Sequence, residues 1–175
     1  RPRTRVLLAA LLCLVQVVVG TAPAAHAAPL PAGASKYVAI TPFRLADTRP
    51  TSIEYTGFTS LSSNTIRINI TNRPGVPTNA TAAVVNITLI GATGSGYIAA
   101  YPSGATPPTT SNVNSDGAGR TIANLAHVKI GANGSIDIFR AVGSHVAVDL
   151  VGVYVPVTDA VGDGRLVTLA SGAKR

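Results

Sequence analysis

Five acidic side chains are the first candidates for hydrolytic chemistry in this sequence. They are Asp47, Glu54, Asp116, Asp137 and Asp149. Glycoside hydrolysis needs two carboxyl groups that face each other at about 5–9.5 Å, and no two of these acids form a paired motif. The acids alone therefore give no support for a glycosidase.

Nucleophilic and metal-assisted chemistry have equally little support. Ser95 could form a catalytic set with His127 or His145, but it lies in Gly-Ser-Gly, which is typical of a turn, and the G-x-S-x-G elbow is missing. Two histidines without cysteine are a weak metal-binding set. Asp116 in "NSDGAG" lacks the further acids of a calcium loop. We predict that the chain is not an enzyme and has no metal site and no cofactor.

Tyr97 and Tyr101 are the candidate ligand-binding residues. They are four residues apart in "YIAAY" and so lie on one face of a strand. Flat aromatic rings stack on sugars, and tyrosine adds a hydroxyl group. Packing in the core or at a sheet edge would explain the same two residues.

The segment "RLADTR" is the most charged patch of a chain with only 12% charged residues. Arg44, Asp47 and Arg49 could bind an anion such as a carboxylated sugar. The alternative, which we favour, is that they form structural ion pairs at the start of the fold.

Asp149 extends that interpretation to the end of the fold. It lies in "VAVDLVGVYV" with the strand parity of Ala147, Val151, Val153 and Val155, so its face is predicted to be largely apolar. A buried carboxylate needs a partner. We therefore predict that Asp149 contacts Arg44 or Arg49.

The elements that position these residues are predicted to be strands. In "TIRINIT", Ile66, Ile68 and Ile70 alternate with polar residues, which indicates a half-buried strand. "AAVVNITLI" and "HVAVDLVGVYV" are apolar on both faces, as central strands are. About seven strands follow, and nothing indicates a crossover helix. The predicted fold is all-β, an antiparallel two-sheet sandwich. The loop "GANG" between two strands predicts a tight hairpin.

The first residues indicate export. Residues 1–27 have a basic start, an apolar run too short for a bilayer span and a small-x-small cleavage site at Ala25-His26-Ala27. Removal of Arg1, Arg3 and Arg5 leaves 11 basic against 7 acidic residues, a net charge of +4 instead of +7. This weakens a nucleic-acid interpretation. We predict a secreted protein without a membrane span in its mature chain, and association with the cell wall is a further hypothesis.

Internal similarity predicts a repeat. "KYVAIT" at residues 36–41 and "RLVTLA" at residues 165–170 share a basic residue followed by large and small apolar positions. We therefore divide the chain into a signal peptide (1–27), a spacer (28–35), a β-sandwich domain (36–156), a linker (157–164) and the start of a second copy (165–175).

Five short motifs follow one another between Lys36 and Val155. They are P-x-R-L-x-D-T-R at 42–49, V-x-N-x-T at 84–88, G-Y-x-x-x-Y-P-x-G at 96–104, S-x-x-N with a later A-N at 111–114 and 123–124, and V-D-x-x-G-Y with one extra residue at 148–154. In this order the chain resembles a family of secreted β-rich repeat domains of high-GC Gram-positive bacteria. The resemblance implies domains that occur in tandem or are appended to secreted hydrolases, and it implies no activity.

Two functions follow as hypotheses. The first is a non-catalytic extracellular β module of a tandem array, for surface display, adhesion or cell-wall association. The second is a carbohydrate-binding module that targets a secreted hydrolase. The expected partners are cell-wall polysaccharide or neighbouring copies of the same domain.

Overall fold

Nine β-strands form the regular secondary structure of the computed structural model, which describes residues 32–52 and 57–157. No helix occurs in that part of the chain, and so no helix there could span a membrane. The strands are β1 Ser35–Asp47, β2 Phe58–Ser60, β3 Thr65–Asn69, β4 Ala82–Ile90, β5 Ser95–Pro102, β6 Val113–Asp116, β7 Ile122–Lys129, β8 Ser135–Arg140 and β9 His145–Pro156.

The strands form two sheets in which every pairing is antiparallel, as the sequence predicts. The four-stranded sheet has the order β1-β9-β4-β7, and the five-stranded sheet has the order β2-β3-β8-β5-β6. The predicted number of about seven strands is too low. The two that sequence reasoning missed, β2 and β6, have three and four residues and lie at sheet edges. Strands this short and polar lack the apolar alternation that marks the others.

Isoleucine, leucine and valine fill the space between the sheets. Ile66 and Ile68 of β3 are buried while Arg67 between them is half-buried, which confirms the period-two pattern. From the other sheet, Ile87 and Leu89 of β4 are fully buried. Each such side chain contributes roughly 1.5–3 kcal/mol when removed from water, so the core carries the stability of a domain without a disulfide in its described part.

The "GANG" loop corrects a prediction. It joins β7 to β8, but these strands belong to different sheets, so the loop crosses between sheets and is not a hairpin turn. Gly134 has a φ of +76°, and its carbonyl accepts hydrogen bonds from the amides of Ile70 and Thr71. Glycine and asparagine supply the tight turn that the sequence indicated, but the turn redirects the chain to the opposite layer.

The first and last strands are neighbours. Ser35 lies opposite Pro156, and beyond this pair the amide of Val157 donates to the carbonyl of Ala34 at 3.1 Å. The chain therefore enters and leaves the domain at the same end. The register of β1 shifts between Ala39 and Phe43, around Pro42, whose missing N–H is tolerated at such an irregularity.

A bulge in β9 reverses the predicted orientation of its C-terminal half. Opposite β4, Leu150 pairs with Val85 and Gly152 pairs with Val84, so Val151 is an extra residue. Val153 and Val155 are consequently buried in the core. The expectation that they share a face with Asp149 is wrong, since a one-residue insertion exchanges the two faces of a strand.

Several predicted boundaries fall outside the described residues. The signal peptide (1–27) and the start of a second copy (165–175) lie entirely outside them, and of the spacer and the linker only residues 32–35 and residue 157 are described. The strands between Ser35 and Pro156 span the predicted β-sandwich domain.

Candidate functional site

The charged residues of the opening motif lie on the outer face of the four-stranded sheet. Arg44 is paired in register with Asp149, and Asp47 is paired with Ala147, so these side chains share a face. Arg44 Nε donates to Asp149 Oδ1, and Arg44 Nη1 donates to Asp47 Oδ2 at 2.8 Å. One guanidinium thus joins an acid of the first strand to an acid of the last.

Asp47 is the buried centre of this cluster, with 0% of its surface exposed. Arg49 donates to it from its backbone amide at 3.0 Å and from Nη2 at 2.6 Å, and Ser52 Oγ donates at 3.0 Å. The hydrogen bonds from the Arg49 side chain hold the pKa of Asp47 far below its ordinary value, although burial acts in the opposite direction. The charged carboxylate of Asp47 therefore has a structural role: it fixes Arg49 and Ser52 in the segment after β1.

Asp149 is less enclosed than the sequence indicated. Its side chain is 25% exposed, since it lies on the outer face of the sheet and the bulge after it turns Val153 and Val155 to the opposite face. Arg44, which contacts it, is 23% exposed. The arginine and the acid that were predicted to pair do lie together, but at the surface of the sheet.

The two remaining described acids are also bonded by arginine. Arg67 makes a two-point contact with the buried carboxylate of Asp137 at 2.8 and 2.9 Å, and this contact raises the pKa of Arg67. Arg120 binds Asp116 at 2.8 Å on the surface. Glu54 lies outside the described residues. Each of the four described carboxylates is therefore held by a cation, which suits a structural role.

The serine and histidines considered for catalysis serve different contacts. Ser95 begins β5 and is exposed. His145 Nδ1 lies 3.0 Å from the carbonyl of Thr48, and His127 Nδ1 lies 3.1 Å from the hydroxyl of Tyr154. Within the described residues, no three His, Cys, Asp or Glu side chains gather in a group that could hold a metal ion.

Tyr97 and Tyr101 share the outer face of the five-stranded sheet but are not both accessible. Tyr101 is only 5% exposed, and its burial raises the pKa of its hydroxyl. Tyr97 is half-buried, with its ring centroid 6.1 Å from that of Phe139. A buried ring cannot offer a face to a sugar, so Tyr101 is not the platform residue that the sequence indicated.

Exposed rings lie instead on the four-stranded sheet. The ring centroid of Tyr154 lies 5.7 Å from that of Tyr37 and 5.6 Å from that of His127. Tyr37 is 41% exposed, His127 is exposed, and Tyr154 between them is half-buried. We call Tyr37, Tyr154 and His127 the tyrosine face.

Glycine makes room for this arrangement. Gly152 is the register partner of Ala39 and lies beneath the ring of Tyr37, where a Cβ would overlap the ring atoms. The hydroxyl of Tyr37 donates to the carbonyl of Val151 at 3.0 Å. The ring is thereby fixed across β9 rather than projecting into solvent.

The tyrosine face is not evident from the sequence. Its members come from three strands, β1, β7 and β9, and are separated by up to 117 positions along the chain. The usable signal is Gly152 two positions before Tyr154 near the end of a long strand, because glycine inside a strand often marks a close approach.

No protein-family model matches the chain, and no curated protein matches it. What the protein does is therefore inferred from its own residues.

Proposed function

We propose that this chain is a non-catalytic extracellular β module, one unit of a tandem array, that serves in surface display, adhesion or cell-wall association. The observation that supports this most is the use of its acids. Asp47, Asp116, Asp137 and Asp149 each accept hydrogen bonds from an arginine. Carboxylates engaged in this way hold strands and loops together and are poorly suited to act as general acids or bases.

The sequence supplies the extracellular and repeated parts of the proposal. The N-terminal residues have the composition of an export signal, and residues 165–170 resemble residues 36–41. Ala34 and Val157, where the described domain begins and ends, are adjacent, so one copy can be joined to the next without crossing the fold.

Retention on cell walls tests the proposal. The full chain is mixed with insoluble walls of a high-GC Gram-positive bacterium and sedimented, beside a basic protein of similar size that controls for general charge attraction. We expect the chain, and not the control, to sediment with the walls. A chain that stays in solution, or that hydrolyses substrates in an esterase, glycosidase and peptidase screen, would contradict the proposal.

The second candidate is a carbohydrate-binding module that targets a secreted hydrolase. The exposed ring of Tyr37 and the half-buried ring of Tyr154 beside it favour it, because Tyr101 of the originally predicted pair is buried. The complete gene separates the two candidates: a catalytic domain in the same reading frame supports targeting, and further copies of the β domain support an array.

A further inference from the structure

The tyrosine face has the shape of a shallow, twisted platform. The planes of Tyr37 and Tyr154 are inclined by 59°, and those of Tyr154 and His127 by 38°. Rings that follow the twist of the sheet do not form one plane. They suit a single flexible chain better than a flat crystalline surface.

The platform is built before any ligand arrives. Tyr154 reaches from β9 across β4 to bond His127 of β7, and Val84, which lies between Gly152 and His127 in register, is buried. Both tyrosine hydroxyls are engaged, at Val151 and at His127. Rings held in this way lose little conformational entropy when a ligand binds.

The charges on this face favour an anionic ligand. Lys129 lies two positions from His127 on β7, so both side chains belong to the same face, and Lys129 is exposed. The acids of the same face, Asp47 and Asp149, are already bonded by Arg44. Among the described residues, no acid in the adjacent register rows offsets the positive charge that the ammonium group of Lys129 places beside the rings.

From these observations we propose that the tyrosine face binds a polysaccharide chain whose sugar units carry carboxylates. Pyranose rings stack on Tyr37 and Tyr154, and a sugar carboxylate pairs with Lys129. This inference rests on the proposed function, since it names the ligand class through which the module would associate with a surface.

Binding to polygalacturonate tests this site, with its fully methyl-esterified form as a ligand of the same backbone without charge. Affinity is measured with the full chain and with Tyr37→Ala, Tyr154→Ala and Lys129→Gln. We expect each tyrosine variant to lose about tenfold or more in affinity, as truncated aromatic anchors do. We expect Lys129→Gln to bind polygalacturonate no better than the parent chain binds the ester.

Two further variants serve as matched comparisons. Gly152→Ala removes no ring but displaces that of Tyr37, so its affinity should fall as in Tyr37→Ala. Arg120→Gln removes a cation remote from the tyrosine face and should leave affinity unchanged. Thermal unfolding of every variant establishes that it is folded, and Tyr37 and Lys129 are exposed enough for their variants to retain the fold.

Three results of the binding assay would overturn the inference. They are no binding of polygalacturonate by the parent chain, equal affinity for the ester, and unchanged affinity in the tyrosine variants. A parent dimer that Tyr37→Ala dissociates would instead assign the surface to contact between copies. Wall retention is measured separately, so walls that retain the parent and the Tyr37→Ala and Tyr154→Ala chains equally would refute this site and leave the proposed function standing.

Discussion

Asp47 and Asp149 share one arginine but differ in the environment of their carboxylates. Asp47 is enclosed and accepts hydrogen bonds from Arg44, Arg49 and Ser52, whereas Asp149 is partly open to water. The cost of removing either acid therefore differs, because an uncompensated charge is more unfavourable the less water reaches it.

Asp47 makes the stability of the domain sensitive to acid. Its pKa is lowered on folding from the ordinary value of 3.8, so the folded state gains from its charge at higher pH and loses that gain as pH falls below about 4. We expect Asp47→Asn to lower the free energy of unfolding by about 3–5 kcal/mol at pH 7. Urea denaturation at pH 7, 4 and 3 should show the gap between parent and variant narrowing. A gap independent of pH would contradict this role.

Removal of Asp149 should have a smaller effect. Asp149→Ala leaves Arg44 with Asp47, so the expected loss is about 1.5–3 kcal/mol, the range for hydrogen bonds to charged groups. The urea midpoint measures it. Asp116→Ala is the control, because its pair with Arg120 is on the surface and such pairs contribute little. Equal losses in the two variants would show that the contact with Arg44 has no special strength.

The sequence could predict the pairing of Arg44 with Asp149 but not the accessibility of Tyr101. A carboxylate in an apolar strand requires a cation, and cations are few in this chain. The exposure of a tyrosine depends on what lies over it. Tyr101 faces away from the core yet is buried. The residues of its own strand do not indicate that other parts of the chain cover it.

At the scale of elements, the turns determine which layer each strand joins. Gly134 combines a left-handed backbone with close packing against Thr71, where a Cβ would overlap the side chain. Gly104 has a similar φ of +85° with open space around its Cα. Substitutions at these two positions therefore distinguish the cost of backbone strain, which both share, from the cost of steric overlap, which only Gly134 has.

Gly134→Ala and Gly104→Ala should therefore differ in stability. In both variants an alanine must adopt a left-handed backbone, which costs about 1–2 kcal/mol. In Gly134→Ala the new Cβ also pushes the side chain of Thr71 away from the loop between β7 and β8. We expect the lower melting temperature in Gly134→Ala, measured by thermal unfolding. Equal melting temperatures would mean that Thr71 moves aside without cost.

The apolar alternation of β3 predicted a half-buried strand, and the continuous apolar runs of β4 and β9 predicted central strands. Both patterns are carried by the residues of the strand itself. They could not predict that β7 and β8 join different sheets, since glycine and asparagine form either kind of turn. The bulge at Val151 was also hidden, because an inserted valine does not interrupt an apolar run.

At the scale of the whole molecule, pairing of β1 with β9 closes the domain. It brings Tyr37 and Tyr154 together from opposite ends of the described chain and places Arg44 beside Asp149. Both contacts join residues more than 100 positions apart; the charges indicated the pairing of Arg44 with Asp149, but no local pattern specifies the contact of Tyr37 with Tyr154. The all-β sandwich was predictable, and the surface created by its closure was not.

The adjacency of Ala34 and Val157 also determines how the module responds to mechanical force. Tension applied at Ala34 and Val157 would pull Ser35 and Pro156 apart. The backbone hydrogen bonds between β1 and β9 would then break one after another, as in a zipper, instead of sharing the load in shear. We expect unfolding at low force when the domain is stretched in optical tweezers between Ala34 and Val157. Stretching between Asp47 and Val157 would instead load the same strands lengthwise and should require clearly higher force. Similar forces in both geometries would contradict the zipper. A series of such modules would then unfold at low force when a cell surface is pulled. The copies would extend and refold one at a time, which would limit the peak tension on the array.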